Sequence, residues 1–282
     1  MIKDAWDTPV AANPLMGELD TDTGHCTFIS GILRQVVPDA RVLAIRIMHS
    51  DGIVNEGDLL CGLRHLARRI AKAEAGHMDD MVDVVSLSLG YFNESGDATL
   101  TSGLRDVLDV LLGLGVTVVA AAGNYTTSRK FYPAAFASQN QPGQVPLISV
   151  GALNPNLSQA LFSDGGPWIN AWACGAVMVS TYPVDVQGSR PPEIEEPAHP
   201  GTELPGGGPP LPGERAALDP DDYSGGFALW SGTSFSAPLV AADIAKALLK
   251  DKSEPGLWLS KTGDAAAANR ALAALTSLRW KD

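Results

Sequence analysis

The chain has 282 residues, 45% of them hydrophobic, with 32 acidic against 20 basic side chains and a formal net charge of -12. That hydrophobic share suffices for one large core, so a single domain over 1–282 is expected, and the acidic excess argues against nucleic acid or an anionic membrane as a partner. No run of eighteen apolar residues occurs and the opening MIKDAWDTPV lacks the apolar stretch of a secretory signal, so the chain as written has no membrane span or export address and reads as cytoplasmic.

The first patterned segment is GHCTFISGILRQVV, where Phe28, Ile29, Ile32, Leu33 and Val36 form a helical apolar stripe that leaves His25 in the first turn. Asp22 reads as the side-chain cap of this helix. Residues 42–48, 82–89 and 116–122 are short, rich in Val and Ile, and apolar without alternation, the signature of strands buried on both faces of a parallel sheet. Between them Leu59, Leu63, Leu66 and Ile70 repeat at helical spacing, and so do Leu104, Val107, Leu108 and Leu111. Alternating strands and helices predict an α/β fold with a mainly parallel sheet and right-handed crossovers. Residues 146–152 read as a further strand and 175–181 as a shorter one. From 182 to 222 the composition turns to Pro, Gly and Glu around GGGPPLPGE, which predicts a surface insertion with no packed element. A helix opens near Ser234, and an Ala/Leu-rich pattern covers 264–278.

Three segments carry chemistry. GTSFSAP, residues 232–238, places the Ser234 hydroxyl at a helix N-terminus, where backbone N–H groups and the helix dipole favour developing negative charge; Pro238 is expected in the first turn. A serine there is otherwise an ordinary cap, and the spacing does not match the G-x-S-x-G elbow. VTVVAAAGN is a buried strand ending in Gly123 and Asn124, at the carboxyl edge where ligands gather in parallel sheets, and an Asn amide can donate to an oxyanion. Asn after Gly is otherwise a plain turn. His25 at a helix start can face a cleft, whereas His49, His65, His77 and His199 read as structural. Cys26, Cys61 and Cys174 are odd in number and far apart, which predicts buried apolar thiols and no disulfide framework.

Taken together and in the order His, Asn, Ser, the segments GHCTFISGI, AAAGN and GTSFSAP resemble the histidine, oxyanion and serine motifs of the subtilisin-like serine peptidases. The resemblance covers residues 25–249 apart from the insertion. It implies a three-layer α/β fold and an endopeptidase working through an acyl-enzyme, with Ser234 as nucleophile, His25 as base and Asn124 as oxyanion donor. SLSLG resembles that family's substrate-pairing strand, so Ser88, Leu89 and Gly90 are implied to bind an extended polypeptide by β-augmentation. The chemistry requires no cofactor. Structural calcium, which relatives often bind, is left open, because the scattered Asp residues show no loop of ligand spacing.

Two departures matter. The family places an Asp at the end of its first core strand, where it fixes the histidine tautomer. Here only 24 residues precede His25, and Asp4, Asp7, Asp20 and Asp22 follow no Val/Ile-rich strand. The acid role is assigned to none of them. The first core strand is therefore expected to be missing, either because it lies upstream of Met1 or because the chain is a degenerate relative, and impaired activity is expected. The alternative function is non-catalytic peptide binding in the same groove. The second departure is Cys26, which replaces the family's glycine and is expected to crowd the site or sensitise it to thiol reagents.

Overall fold

The computed structural model describes residues 11–13, 18–74, 81–94, 98–141, 145–184, 196–197, 214–215, 223 and 225–251. In chain order the elements are β1 (Ala11–Asn13), β2 (Glu18–Leu19), α1 (His25–Val36), α2 (Glu56–Glu74), β3 (Val84–Leu87), β4 (Tyr91–Phe92), α3 (Ala98–Gly113), β5 (Thr117–Ala121), β6 (Phe131–Tyr132), a 3-10 helix (Ala134–Gln139), β7 (Leu147–Leu153), β8 (Ala171–Cys174), β9 (Met178–Thr181), β10 (Glu196–Pro197), β11 (Glu214–Arg215), β12 (Phe227–Trp230) and α4 (Thr233–Asp251). Strands β3, β5, β7 and β8 lie side by side in that order and are all parallel. The others pair two by two, among them β9 with β12, antiparallel.

Strand β5 shows why the sequence makes this sheet. All five of its residues are buried. Val118 and Ala120 enter a core shared with α2 and α3, while Val119 and Ala121 enter a core shared with α4. The two-residue period of a strand thus divides an unbroken apolar run between two faces. Leu63, Leu66 and Ile70 of α2 and Leu104, Leu108 and Leu111 of α3 fill the first core; Ala237, Val240, Ala241 and Ile244 of α4 fill the second. Each Leu or Ile so buried contributes about 1.5–3 kcal/mol. Helices on both faces of a parallel sheet make the three-layer α/β fold, and it fixes the carboxyl ends of β3 and β5 beside the start of α4.

The fold corrects several expectations. Residues 42–48 belong to no strand, and Val42, Leu43 and Ile45 are 41%, 47% and 46% exposed. The reason lies beside them: β3 is an edge of the described sheet, and a cavity of about 880 Å³ separates it from this run. A Val/Ile-rich run becomes a strand only when another backbone pairs with it. The strand expected over 175–181 begins at Met178 and joins β12, not the parallel sheet, whose fourth member is β8. Burial of the thiols is also wrong, since Cys26 and Cys61 are exposed and Cys174 is half-buried, all three free. Cys61 is off the apolar stripe of α2, with its sulfur 3.4 Å from His65 Nδ1. Within 182–222 a short antiparallel pair, β10 with β11, is present. The rest of 185–222, residues 1–10 with Asp4 and Asp7, the 264–278 pattern, His77 and His199 lie outside the described residues.

Candidate active site

Ser234 is the second residue of α4. It is half-buried, whereas its neighbours Thr233, Phe235 and Ser236 are buried, so this hydroxyl is the one presented to solvent. Pro238 falls inside the helix instead of its first turn. It has no N–H to give the carbonyl four residues earlier, which is that of Ser234. The Ser88 hydroxyl donates to that carbonyl instead, at 2.7 Å, and ties the end of β3 to the first turn of α4.

Asn124 follows β5 and is exposed. Its Oδ1 accepts the Thr233 N–H at 2.8 Å and the Thr233 hydroxyl at 2.9 Å. With the carbonyl side of the amide engaged, the Nδ2 donors are the half left for a ligand. The same Thr233 hydroxyl accepts the Gly123 N–H at 3.1 Å. Gly123 has φ 111°, a conformation glycine favours, and a Cβ there would run into the Asp164 carboxylate. Asp164, fully buried, accepts the Tyr125 and Thr127 N–H groups at 2.9 and 3.0 Å and donates its own N–H to the Gly123 carbonyl at 2.9 Å. Its Oδ2 has no hydrogen-bond partner, and burial pushes its carboxyl above the ordinary range against those two bonds. The loop after β5 is therefore held from both sides of Asn124.

His25 opens α1, but Asp22 does not cap that helix through its side chain. Gly24 occupies the cap position at φ 73°, and Asp22 instead accepts the His25 N–H with its backbone carbonyl at 3.1 Å. A Cβ on Gly24 would strike the Tyr182 ring, whose hydroxyl donates to the Thr23 carbonyl at 2.8 Å. Ser180 and Thr181 of β9 donate to the Phe28 and Thr27 carbonyls at 2.7 and 3.0 Å. The turn carrying the histidine is thereby pinned to β9. The imidazole lies 5.6 Å from the Phe235 ring and 5.7 Å from the Trp230 ring, centroid to centroid, so it shares a wall with the residue next to Ser234. Burial lowers its pKa below 6.5, and the Asp22 charge opposes this only in part. A neutral imidazole at pH 7 is the form a general base requires. No carboxylate among the described residues hydrogen-bonds its ring.

Ser88, Leu89 and Gly90 follow β3 as a half-buried, irregular stretch. A Cβ on Gly90 would meet the Phe131 ring and the Tyr132 carbonyl, so glycine permits a close backbone approach there. The structure thus gathers His25, Asn124, Ser234 and Ser88 at one edge of the sheet. Sequence reasoning missed Thr233 and Asp164. Thr233 lies within the GTSFSAP motif, but its partners are 109 and 110 positions away. Asp164 sits in a stretch with no periodic signal. No three His, Cys, Asp or Glu residues form a metal-holding group, and no helix is long and apolar enough to cross a membrane, among the described residues.

Known proteins resemble this chain in sequence and in fold. The sequence profile of the Subtilase family (Peptidase_S8) matches residues 10–271. Subtilisin-like protease 3 of Pseudogymnoascus destructans is 29% identical over 178 residues, which are 61% of this chain and 39% of that protein. Subtilisin DY of Bacillus licheniformis is 28% identical over 173 residues, 57% of this chain and 54% of its own length. The chain thus spans about half or less of these two relatives. Among solved structures, a cold adapted subtilisin-like serine proteinase superposes with a TM-score of 0.54 at 19% identity, covering 89% of this chain and 67% of the other. A lanthipeptide protease superposes with a TM-score of 0.57 at 17% identity, covering 86% and 67%.

Proposed function

Because this chain belongs to the subtilase family of serine peptidases, we propose that it is an endopeptidase that cleaves polypeptides through an acyl-enzyme on Ser234. The observation that carries this reading is the Thr233 clamp, which orients the Asn124 amide one residue from the only solvent-reached hydroxyl of the first helical turn. An extended substrate lies along Ser88, Leu89 and Gly90 as an added strand. The Ser234 oxygen attacks the scissile carbonyl carbon and its proton passes to the His25 imidazole. Asn124 Nδ2 and backbone N–H groups at the start of α4 hold the oxyanion. The C–N bond then breaks, the amine leaves with the proton from His25, and water deacylates the serine by the same route in reverse.

One observation favours a second reading, a peptide-binding relative without turnover: the His25 ring has no carboxylate partner among the described residues. A fluorophosphonate probe separates the two. Labelling that disappears in Ser234→Ala is expected for the peptidase; an unlabelled chain that still binds extended peptides would establish the binding protein instead.

A further inference from the structure

Three aromatic rings close on one another beside the candidate site, and the mechanism above uses none of them. Phe131 of β6 lies 5.1 Å from Phe92 of β4 and 5.9 Å from Tyr125, and Phe92 lies 5.0 Å from Tyr125, centroid to centroid. Antiparallel pairing sets Phe92 opposite Phe131, and the Arg129 guanidinium lies 4.6 Å over the Phe92 ring. Phe131 is 6% exposed and belongs to the core shared with α2 and α3, while Tyr125, next to Asn124, is 64% exposed. The triangle thus has a buried floor and an open rim.

Two glycines fix what the floor touches. A Cβ on Gly90 would strike Phe131 Cε1 and Cζ, and a Cβ on Gly123 would come within 3.2 Å of Phe131 Cδ1. One ring therefore lies against the last residue of the 88–90 stretch and against the loop that carries Asn124. An extended substrate running along 88–90 offers the carbonyl under attack to Asn124, so the residue that owns this carbonyl sits between those two backbones. Successive side chains of a strand point to opposite sides, and here the side chain turned toward the protein enters the gap between them. Phe131 already fills that gap. A hydrogen or a methyl fits above a ring; a second ring or a long aliphatic chain requires the first to move, and close packing against Phe92, Tyr125 and the core resists it.

We propose that Phe131 sets the specificity of this site: its ring plugs the space for the residue immediately before the cleaved bond, so the substrates are polypeptides with Gly, Ala or Ser there, and aromatic or long aliphatic residues are excluded. The assignment rests on the peptidase reading, which supplies the placement of the substrate. Phe131 acts by occupying space and takes no part in bond making. Shortening its side chain therefore changes which peptides are accepted while Ser234, His25 and Asn124 stay in place.

The test uses the full chain and two peptidyl diphenyl phosphonates that differ only in the residue next to phosphorus, the analogue of alanine in one and of phenylalanine in the other. Attack by the Ser234 oxygen forms the O–P bond and expels phenoxide, so the rate of labelling, followed by mass spectrometry, reports acceptance of that residue. The alanine probe is expected to react faster by about 10²-fold or more, since even one methylene in a tight pocket is worth about 10–200-fold. In Phe131→Ala the preference should collapse to less than about tenfold. Phe131→Leu, which keeps apolar bulk in the core and guards against a variant that fails to fold, should fall between the two. A second readout needs no turnover: the chain carrying Ser234→Ala should bind a peptide ending in Ala about tenfold or more tighter than one ending in Phe. Equal labelling rates, a faster phenylalanine probe, or a preference that Phe131→Leu leaves unmoved overturns the role of Phe131, and so does a chain that takes a simple fluorophosphonate but neither phosphonate. If Ser234 takes none of the three labels, the peptidase reading falls and the binding readout decides alone: the Ala-ending peptide bound tighter leaves the plug standing, whereas equal binding, or none, overturns it as well.

Discussion

Strand β5 and residues 42–48 are nearly the same kind of sequence and have opposite fates. TVVAA is buried at every residue, pairs on both sides, and ends in a loop clamped by Thr233 and Asp164. VLAIRIM has the same wealth of branched side chains but no ladder, and its Val42, Leu43 and Ile45 are more than 40% exposed. An apolar run states a requirement for burial; a neighbouring backbone decides whether it is met. The candidate site straddles this boundary. Ser234 and Asn124 stand on the completed side, and His25 leans over the incomplete one.

The largest expected effect is on the completed side. Ser234→Ala should abolish fluorophosphonate labelling and hydrolysis, as removal of the nucleophile costs subtilisin about 2 × 10⁶ in turnover. Its Tm should barely move, because one half-buried hydroxyl at a helix start is worth at most about 1 kcal/mol. A variant that hydrolyses at the parent rate would sink the assignment of the nucleophile.

Next comes a direct contrast between the two regions by the same chemical change. Ile148→Ala, in the buried strand paired with β5, should cost about 2–5 kcal/mol in denaturant unfolding. Ile45→Ala should cost less than about 1 kcal/mol. Equal losses would show that 42–48 is packed after all.

Asn124→Ala should lower kcat by about 10²–10³-fold, or 2.7–4 kcal/mol, with KM little changed, since the amide acts on charge that develops only in the transition state. A purely structural Asn would instead move Tm and KM together.

The smallest effect is a pH dependence. Burial raises the Asp164 pKa above its unfolded value, so the stability due to this group is fully present below the ordinary carboxylate pKa and is lost as pH rises through the raised value. Asp164→Asn should therefore flatten Tm against pH in that window, by about 2–4 °C for each kcal/mol involved. An unchanged pH profile would show that the carboxyl titrates normally. For His25 the sign is opposite: its lowered pKa should carry the acid limb of kcat/KM below the ordinary histidine value.

The sequence spoke clearly wherever local pattern and burial coincided. Strands β3, β5 and β7 and the four α-helices among the described residues were legible because their apolar residues fall on faces that the fold covers. His25, Asn124 and Ser234 each sit at an element end that their own neighbours define, which is why the sequence pattern could locate them. What was illegible is long-range. Thr233 and Asp164 act through backbone groups from 37 to 110 positions away, and no periodicity announces such partners. The capping role given to Asp22 failed because Gly24, free to adopt a positive φ, places the helix start two residues further on. Residues 42–48 were misread because their pattern is a strand's, yet no strand among the described residues pairs with them.

One contact near the histidine has a wider meaning. The Tyr182 ring stacks on that of Tyr223 at 4.1 Å, so two positions far apart in sequence meet as the posts of one aromatic doorway. Loop-closure entropy grows only slowly with length, about 0.6 kcal/mol for each doubling. With both posts of the doorway fixed, the sequence between them is free to lengthen, shorten or be exchanged across related proteins at little thermodynamic expense. That makes the doorway a natural port for grafted modules, and one post, through its hydroxyl on Thr23, stands two residues from His25. A load hung there would be felt first by His25.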